Sequence, residues 1–200
     1  MTTAERGKNL WATFTADMAG YVEPGINPWS SVFLRRLVRQ MYVHPGAWAI
    51  VIYRYGQWVH YRCNVPVLRQ LLQLHYHYLF CWARFTLQIE LPFNADIGPG
   101  LRIYHYGGII INSKTVAGCN LGLNHGVVIG AAKKSVPCLG DNVDIGVGSK
   151  LFGPVILGNN VQVGAGAIVT RSFPDNAVIA GVPAKLLRMK IAPDFDEKPL

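Results

Sequence analysis

The 200 residues suffice for one ordinary domain, or for a small domain joined to an elongated one. Half are apolar and 15% are charged, which excludes intrinsic disorder. Nineteen Lys and Arg against eleven Asp and Glu give a net charge of +8, so nucleic acid, a membrane surface and a phosphate-bearing ligand all start as candidate partners.

The opening residues Met1-Thr2-Thr3-Ala4-Glu5-Arg6 are polar and lack a signal-peptide core, so a cytoplasmic location is expected. Pro28, Pro45 and Pro66 then separate expected helices. The most apolar stretches, 40–53 and 70–83, are 14 residues each and stop at Arg54 and Arg84. A bilayer span needs about 20, so these read as core or interfacial helices. Leu71, Leu74, Tyr78, Trp82, Phe85 and Ile89 recur at spacings of three and four, and this one helix face is expected to be a packing face. Cys63, Cys81, Cys119 and Cys138 form no CxxC pair and no disulfide framework, so reduced thiols are expected.

Near residue 90 the chain changes character. All five Trp and seven of nine Tyr precede it, and sixteen of twenty-one Gly follow it. Charge divides as +5 up to residue 90 and +3 beyond, with no long basic run, which removes nucleic acid as a partner.

Beyond residue 90 aliphatic anchors recur every six residues. They fall at Leu91, Ile97 and Ile103, resume at Ile111, Ala117, Leu123 and Ile129, and resume again at Leu139, Ile145, Leu151, Leu157, Val163 and Val169. A second small or apolar residue sits four places after many anchors: Leu101, Leu121, Val127, Val143, Val155, Val161 and Ala167. This is a hexapeptide β-helix pattern, three hexads closing a triangular coil of eighteen residues. Gly and Asn take the corners, where φ turns positive.

Two gaps break the rhythm. The step from Ile103 to Ile111 holds two extra residues within Tyr104-His105-Tyr106-Gly107-Gly108. The step from Ile129 to Leu139 holds four extra, within Ala131-Ala132-Lys133-Lys134-Ser135-Val136-Pro137. Loops leaving a regular solenoid are natural places for function. Counting eighteen per coil plus the insertions predicts one corner column of His105, His125, Val147 and Ala165. Two imidazoles beside a small-residue groove suit an acceptor site opening into an extended cofactor slot.

These segments resemble a known family. Ile97-Gly98-Pro99-Gly100-Leu101-Arg102-Ile103-Tyr104-His105 is similar to the coil that carries the catalytic His of serine acetyltransferases. Leu139-Gly140-Asp141-Asn142-Val143 through Gly164-Ala165-Gly166-Ala167-Ile168-Val169 resembles their cofactor-binding coils. Ala180-Gly181-Val182-Pro183-Ala184-Lys185 resembles the terminal signature of hexapeptide acyltransferases. The likeness covers roughly residues 88–188. It looks nearest to the branch typified by colanic acid acetyltransferases, through Ile109-Ile110-Ile111-Asn112 and His125-Gly126-Val127-Val128-Ile129-Gly130.

The resemblance implies an all-β left-handed parallel β-helix over 90–188, an α-helical region over 1–89 before it and a tail over 189–200. It implies acetyl transfer from acetyl-CoA, as co-substrate, to a hydroxyl or amine. A hydroxyl is a weak nucleophile at neutral pH, so a positioned imidazole removes its proton. His105 matches that base, and Glu90, fifteen positions earlier, matches the acid that orients it. Tyr104 stands where the family has a serine-reading Asp, and Ser135-Val136 where it has Arg-His. The expected acceptor is therefore a sugar or glycan hydroxyl in exopolysaccharide, capsule or glycolipid assembly. Tyr104 and Tyr106 would stack on the sugar, unless they only pack the coil. His125 is open between acceptor binding, the base role and a structural role. Val147, Gly148, Ala165 and Gly166 would line the pantetheine slot, and Lys185 with Arg171 would meet CoA phosphates. Lys133 and Lys134 read as a solvated loop tip, with a phosphate role open.

The alternatives are a serine O-acetyltransferase of cysteine biosynthesis and a non-catalytic hexapeptide scaffold. A metal enzyme like the hexapeptide carbonic anhydrases would need a third His at a suitable offset, so no metal is expected. A homotrimer with sites between neighbouring coils is implied. The helical region is expected to be a buried cap, with peripheral membrane contact at the inner face as the other option.

Overall fold

The computed structural model describes residues 10–21, 30–132 and 134–190. Residues 1–6, Pro28, Lys133 and the tail from 191 onward lie outside the described residues.

Among the described residues four helices come first: α1 (Leu10–Ala19), α2 (Ser31–Val43), α3 (Gly46–Tyr61) and α4 (Pro66–Trp82), the last running into a π turn at Ala83–Leu87. Pro45 begins α3 from its N-cap position, and Pro66 opens α4 at its first residue, where a missing N–H costs nothing. Pro45 thereby divides the apolar 40–53 stretch between two helices. Among the described residues no helix is long and apolar enough to cross a membrane.

The apolar face expected to pack on α4 does not. Leu71 is 62% exposed, Leu74 71% and Phe85 85%, whereas Ile89 alone of that series is buried, in a strand. The helix is held instead by its other side: the Tyr76 ring lies over Gly56 of α3, where a Cβ would not fit, and its hydroxyl accepts from the Phe93 N–H. Amphipathic spacing identified a real apolar face, but not what covers it.

From Ile89 the chain winds through three parallel sheets. The first holds β1 (Ile89–Glu90), β4 (Ile109–Ile111), β7 (Val128–Gly130), β10 (Lys150–Phe152) and β13 (Ile168–Val169). The second holds β2 (Asp96–Ile97), β5 (Val116–Ala117), β8 (Cys138–Leu139) and β11 (Ile156–Leu157). The third holds β3 (Arg102–Ile103), β6 (Gly122–Leu123), β9 (Asp144–Ile145), β12 (Gln162–Val163) and β14 (Ala177–Ala180), closed by antiparallel β15 (Lys185–Met189). This is the expected β-helix. All thirteen anchors are buried, none above 5% exposed, and so are all seven secondary positions.

The corner between the second and third sheets carries an asparagine ladder. Asn120, Asn142, Asn160 and Asn176 all have φ near +60°, and each Nδ2 donates to the next Oδ1 at 2.8, 3.0 and 3.0 Å. Asn tolerates this left-handed backbone better than other side-chain-bearing residues, and the amide stack satisfies its own polar groups.

The helices cap the first coil and share its core. The tie is polar as well as apolar. Arg54 pairs with Asp17 at 2.7 Å and donates to the carbonyls of Ile97 and Gly98, while Asp17 accepts from the N–H groups of Gly100 and Leu101. Burial pushes the Asp17 carboxyl up, against the pull of Arg54 and those two N–H groups. The Tyr53 hydroxyl donates to the Ala95 carbonyl, and the Tyr21 hydroxyl both donates to the Ile103 carbonyl and accepts from its N–H.

Candidate active site

Strand register fixes where the first insertion falls. Ile103 pairs with Leu123, and the Tyr104 N–H donates to the Leu123 carbonyl. On the other side Ile110 pairs with Val128, and the Gly126 N–H donates to the Gly107 carbonyl. The extra residues are thus His105 and Tyr106. Gly107, not His105, lies beneath His125 in the ladder, which corrects the lowest member of the expected column. His105 is carried outside the ladder, yet its ring meets the His125 ring edge to face, centroids 6.1 Å apart.

The upper column is as expected. The Gly148 N–H donates to the His125 carbonyl and the Gly166 N–H to the Val147 carbonyl, so His125, Val147 and Ala165 stack in sequence. Beside them Gly108, Gly126, Gly148 and Gly166 all turn with φ between 65° and 72°. A Cβ on Gly148 or Gly166 would meet nothing within 4 Å, so this corner of small residues is open at those two levels.

A cavity of about 590 Å³ surrounds the imidazole pair, lined by Val43, His44, Pro45, Gly46, Tyr104, His105, Tyr106 and His125. The first four belong to the α2–α3 junction, so the cap forms one wall. Sequence reasoning missed this wall: periodicity cannot relate a helix junction to a coil, although Pro45-Gly46 marks a turn. The His44 ring packs on that of Tyr21, at 5.9 Å between centroids. Tyr106 is exposed at the rim. Tyr104 is half-buried, with its hydroxyl 3.5 Å from Asp144 Oδ1. Burial first, and then the Asp144 carboxylate, push its phenol above the ordinary value, so it remains a hydrogen-bond donor.

The remaining expected residues are dispersed. Glu90 sits on the first sheet, with its Oε2 3.3 Å from Arg84 Nε, and lines a separate, smaller cavity. Among the described residues no hydrogen bond joins it to His105. Lys185 opens β15 just past a terminal turn that donates and accepts across Ile168, near the top of the small-residue column. Arg171 is exposed beyond β13, its guanidinium over the Phe173 ring, at a different corner. Lys134 is exposed in a tight turn closed by the Ala132–Ser135 bridge. Among the described residues no three His, Cys, Asp or Glu side chains cluster as metal ligands.

Stacked hexapeptide coils, an imidazole pair at one corner and an open column of small residues above it define a hexapeptide-repeat acetyltransferase fold. No protein-family model matches the chain. A serine acetyltransferase of Helicobacter pylori is 33% identical over 149 residues, spanning 72% of this chain and 82% of that protein. The chain belongs to the serine acetyltransferase family. A crystal structure of serine acetyltransferase from Brucella abortus in complex with coenzyme A superposes with a TM-score of 0.73 at 25% identity, covering 93% of this chain and 70% of that one. The Neisseria gonorrhoeae serine acetyltransferase in complex with serine gives 0.68 at 23%, covering 88% and 68%, a likeness of fold. These relatives carry the name of the serine enzyme rather than that of a polysaccharide acetyltransferase, against the finer expectation from the motifs.

Proposed function

We propose that this chain is an acetyl-CoA-dependent O-acetyltransferase with His105 as general base, and that its acceptor is serine. The observation that carries this reading is the 33% identity with a serine acetyltransferase over most of both chains. His105 would take the proton of the acceptor hydroxyl as its oxygen attacks the thioester carbonyl carbon. The C–S bond breaks, the O-acetyl ester forms, and the proton passes to the departing CoA sulfur. The imidazole of His125, edge-on to His105, would hold the acceptor oxygen or steady the base. Val147, Gly148, Ala165 and Gly166 would receive the pantetheine arm, for which the open corner at Gly148 and Gly166 leaves room. Lys185 would meet CoA phosphates, and Arg171 would do so for a cofactor on a neighbouring prism of a trimer. Glu90 would orient His105 only by leaving Arg84.

A sugar hydroxyl is the second reading, favoured by the pocket wall. Among the described residues it offers imidazoles, phenols and apolar groups, but no carboxylate, Lys or Arg to meet the charges of an amino acid. Thiol release from acetyl-CoA, measured with serine and with a panel of sugars, separates the two. Serine as best acceptor supports the first reading. Inert serine beside an active sugar overturns it in favour of the second.

A further inference from the structure

The pocket wall supplied by the cap carries one side chain that the proposed reaction does not use. His44 turns the chain from α2 into α3, and it is half-buried at the cavity that holds His105 and His125. Its main chain is fixed on both sides. The His44 N–H donates to the Gln40 carbonyl at 2.7 Å, and the His44 carbonyl accepts from the Ala47 N–H at 3.0 Å.

Two further contacts tie this junction to the strand that leads into the insertion. Gly46 lies so close to Ile103 that an added Cβ would stand 2.6 Å from Ile103 Cγ2. The His44 ring packs on that of Tyr21, whose hydroxyl holds both the N–H and the carbonyl of Ile103. Ile103 is two residues before His105. The His44 ring therefore keeps a set place relative to the imidazole pair, as a substrate-positioning group must.

The rest of the lining is apolar or committed. Val43, Pro45 and Gly46 bring no polar side chain, and the Pro45 carbonyl already accepts from the Trp48 N–H at 3.1 Å. The Tyr104 hydroxyl is turned to Asp144, and Tyr106 stands exposed at the rim. His105 and His125 serve the proposed chemistry. Among the described residues neither ring nitrogen of His44 has a hydrogen-bond partner. An imidazole offers at least one N–H in either charge state. A half-buried donor at a cavity wall is satisfied when a ligand brings the oxygen.

We infer that His44 is an acceptor-binding residue, its ring N–H donating to an oxygen of the acceptor other than the hydroxyl being acetylated. The inference rests on the O-acetyltransferase reading and holds for either acceptor class. The oxygen is a carboxylate oxygen in serine and a second hydroxyl oxygen in a sugar. Such a contact is made alike before and during the transfer, so its loss falls on KM rather than kcat.

Steady-state kinetics of the full chain, with serine and then with the sugar panel, compare wild type with His44→Ala, His44→Phe and His44→Gln. On the acceptor that the wild type uses best, His44→Ala and His44→Phe should each raise the acceptor KM about three- to tenfold. Both should leave kcat and the KM for acetyl-CoA near wild type. His44→Gln keeps an N–H donor and should recover part of the loss. His44→Phe keeps a ring against Tyr21, so a wild-type acceptor KM in that variant makes His44 a packing group and overturns the inference. An unchanged acceptor KM in all three variants, or a fall in kcat alone, overturns it too. A wild-type chain that acetylates neither serine nor any sugar overturns the functional reading and this assignment together. An active wild type with indifferent His44 variants overturns the assignment alone.

Discussion

His105 owes its position to two residues that the coil does not need. Because the insertion leaves the ladder on both sides intact, His105→Ala should leave the melting temperature unchanged while lowering kcat about 10²–10⁴-fold. Thiol-release kinetics beside a thermal melt check both halves, and full activity in that variant would move the base role to His125. Glu90→Gln discriminates further. If the carboxylate leaves Arg84 for the imidazole, kcat falls and the acid limb of its pH profile moves; an unchanged profile leaves Glu90 as Arg84's partner alone. In the groove, Ala165→Leu should raise the KM for acetyl-CoA with little change in stability, since Ala165 is exposed. The sequence carried the upper column residue by residue through strict counting. It misplaced the lowest member because two extra residues among five can be assigned several ways, and only the hydrogen bond from Gly126 to Gly107 decides.

Among the elements, the asparagine corner and the tyrosines of the cap carry the clearest energetic signals. Asn142→Ala breaks the ladder on both sides and puts an alanine at a φ of 55°, so it should cost about 2–3 kcal/mol, with Asn142→Gly recovering part of that. Chemical denaturation of the three proteins measures it. Tyr21, Tyr53 and Tyr76 have phenols pushed up to about 12 by burial. A raised folded-state value means that their stabilisation is whole below the unfolded value of about 10 and is lost as pH climbs from there toward 12. Alkaline melting followed by tyrosinate absorbance should therefore show these phenols ionising together with loss of the cap's helical signal. Ionisation well below that window, with the fold intact, would contradict the burial. The repeat made the strands legible because period six allows no competing element. The face of α4 was legible as apolar but not as uncovered, since spacing records which residues share a side and not what stands opposite.

For the whole molecule, the cap and the prism are one body joined by Asp17 and Arg54. Asp17→Ala would leave a buried guanidinium and two coil N–H groups without their acceptor, a loss of about 3–5 kcal/mol. Loss of a single cooperative melt in favour of two would show that the cap can open alone. A trimer by light scattering is the expected assembly, and a monomer would remove the neighbour on which a shared cofactor slot depends.

The excursion at His105 and Tyr106 separates two tasks that most pockets entangle. The corner above it is main chain and small side chains repeated coil by coil, so its path follows the winding, and only outward positions such as Ala165 can be enlarged without disturbing it. The loop hangs from a closed ladder and faces a helix junction, so its residues can be exchanged, lengthened or inverted in polarity with no change of pitch anywhere else. A chain built in this way can keep its acyl donor and trade its acceptor, with the winding as the inherited part and the loop as the adaptable one.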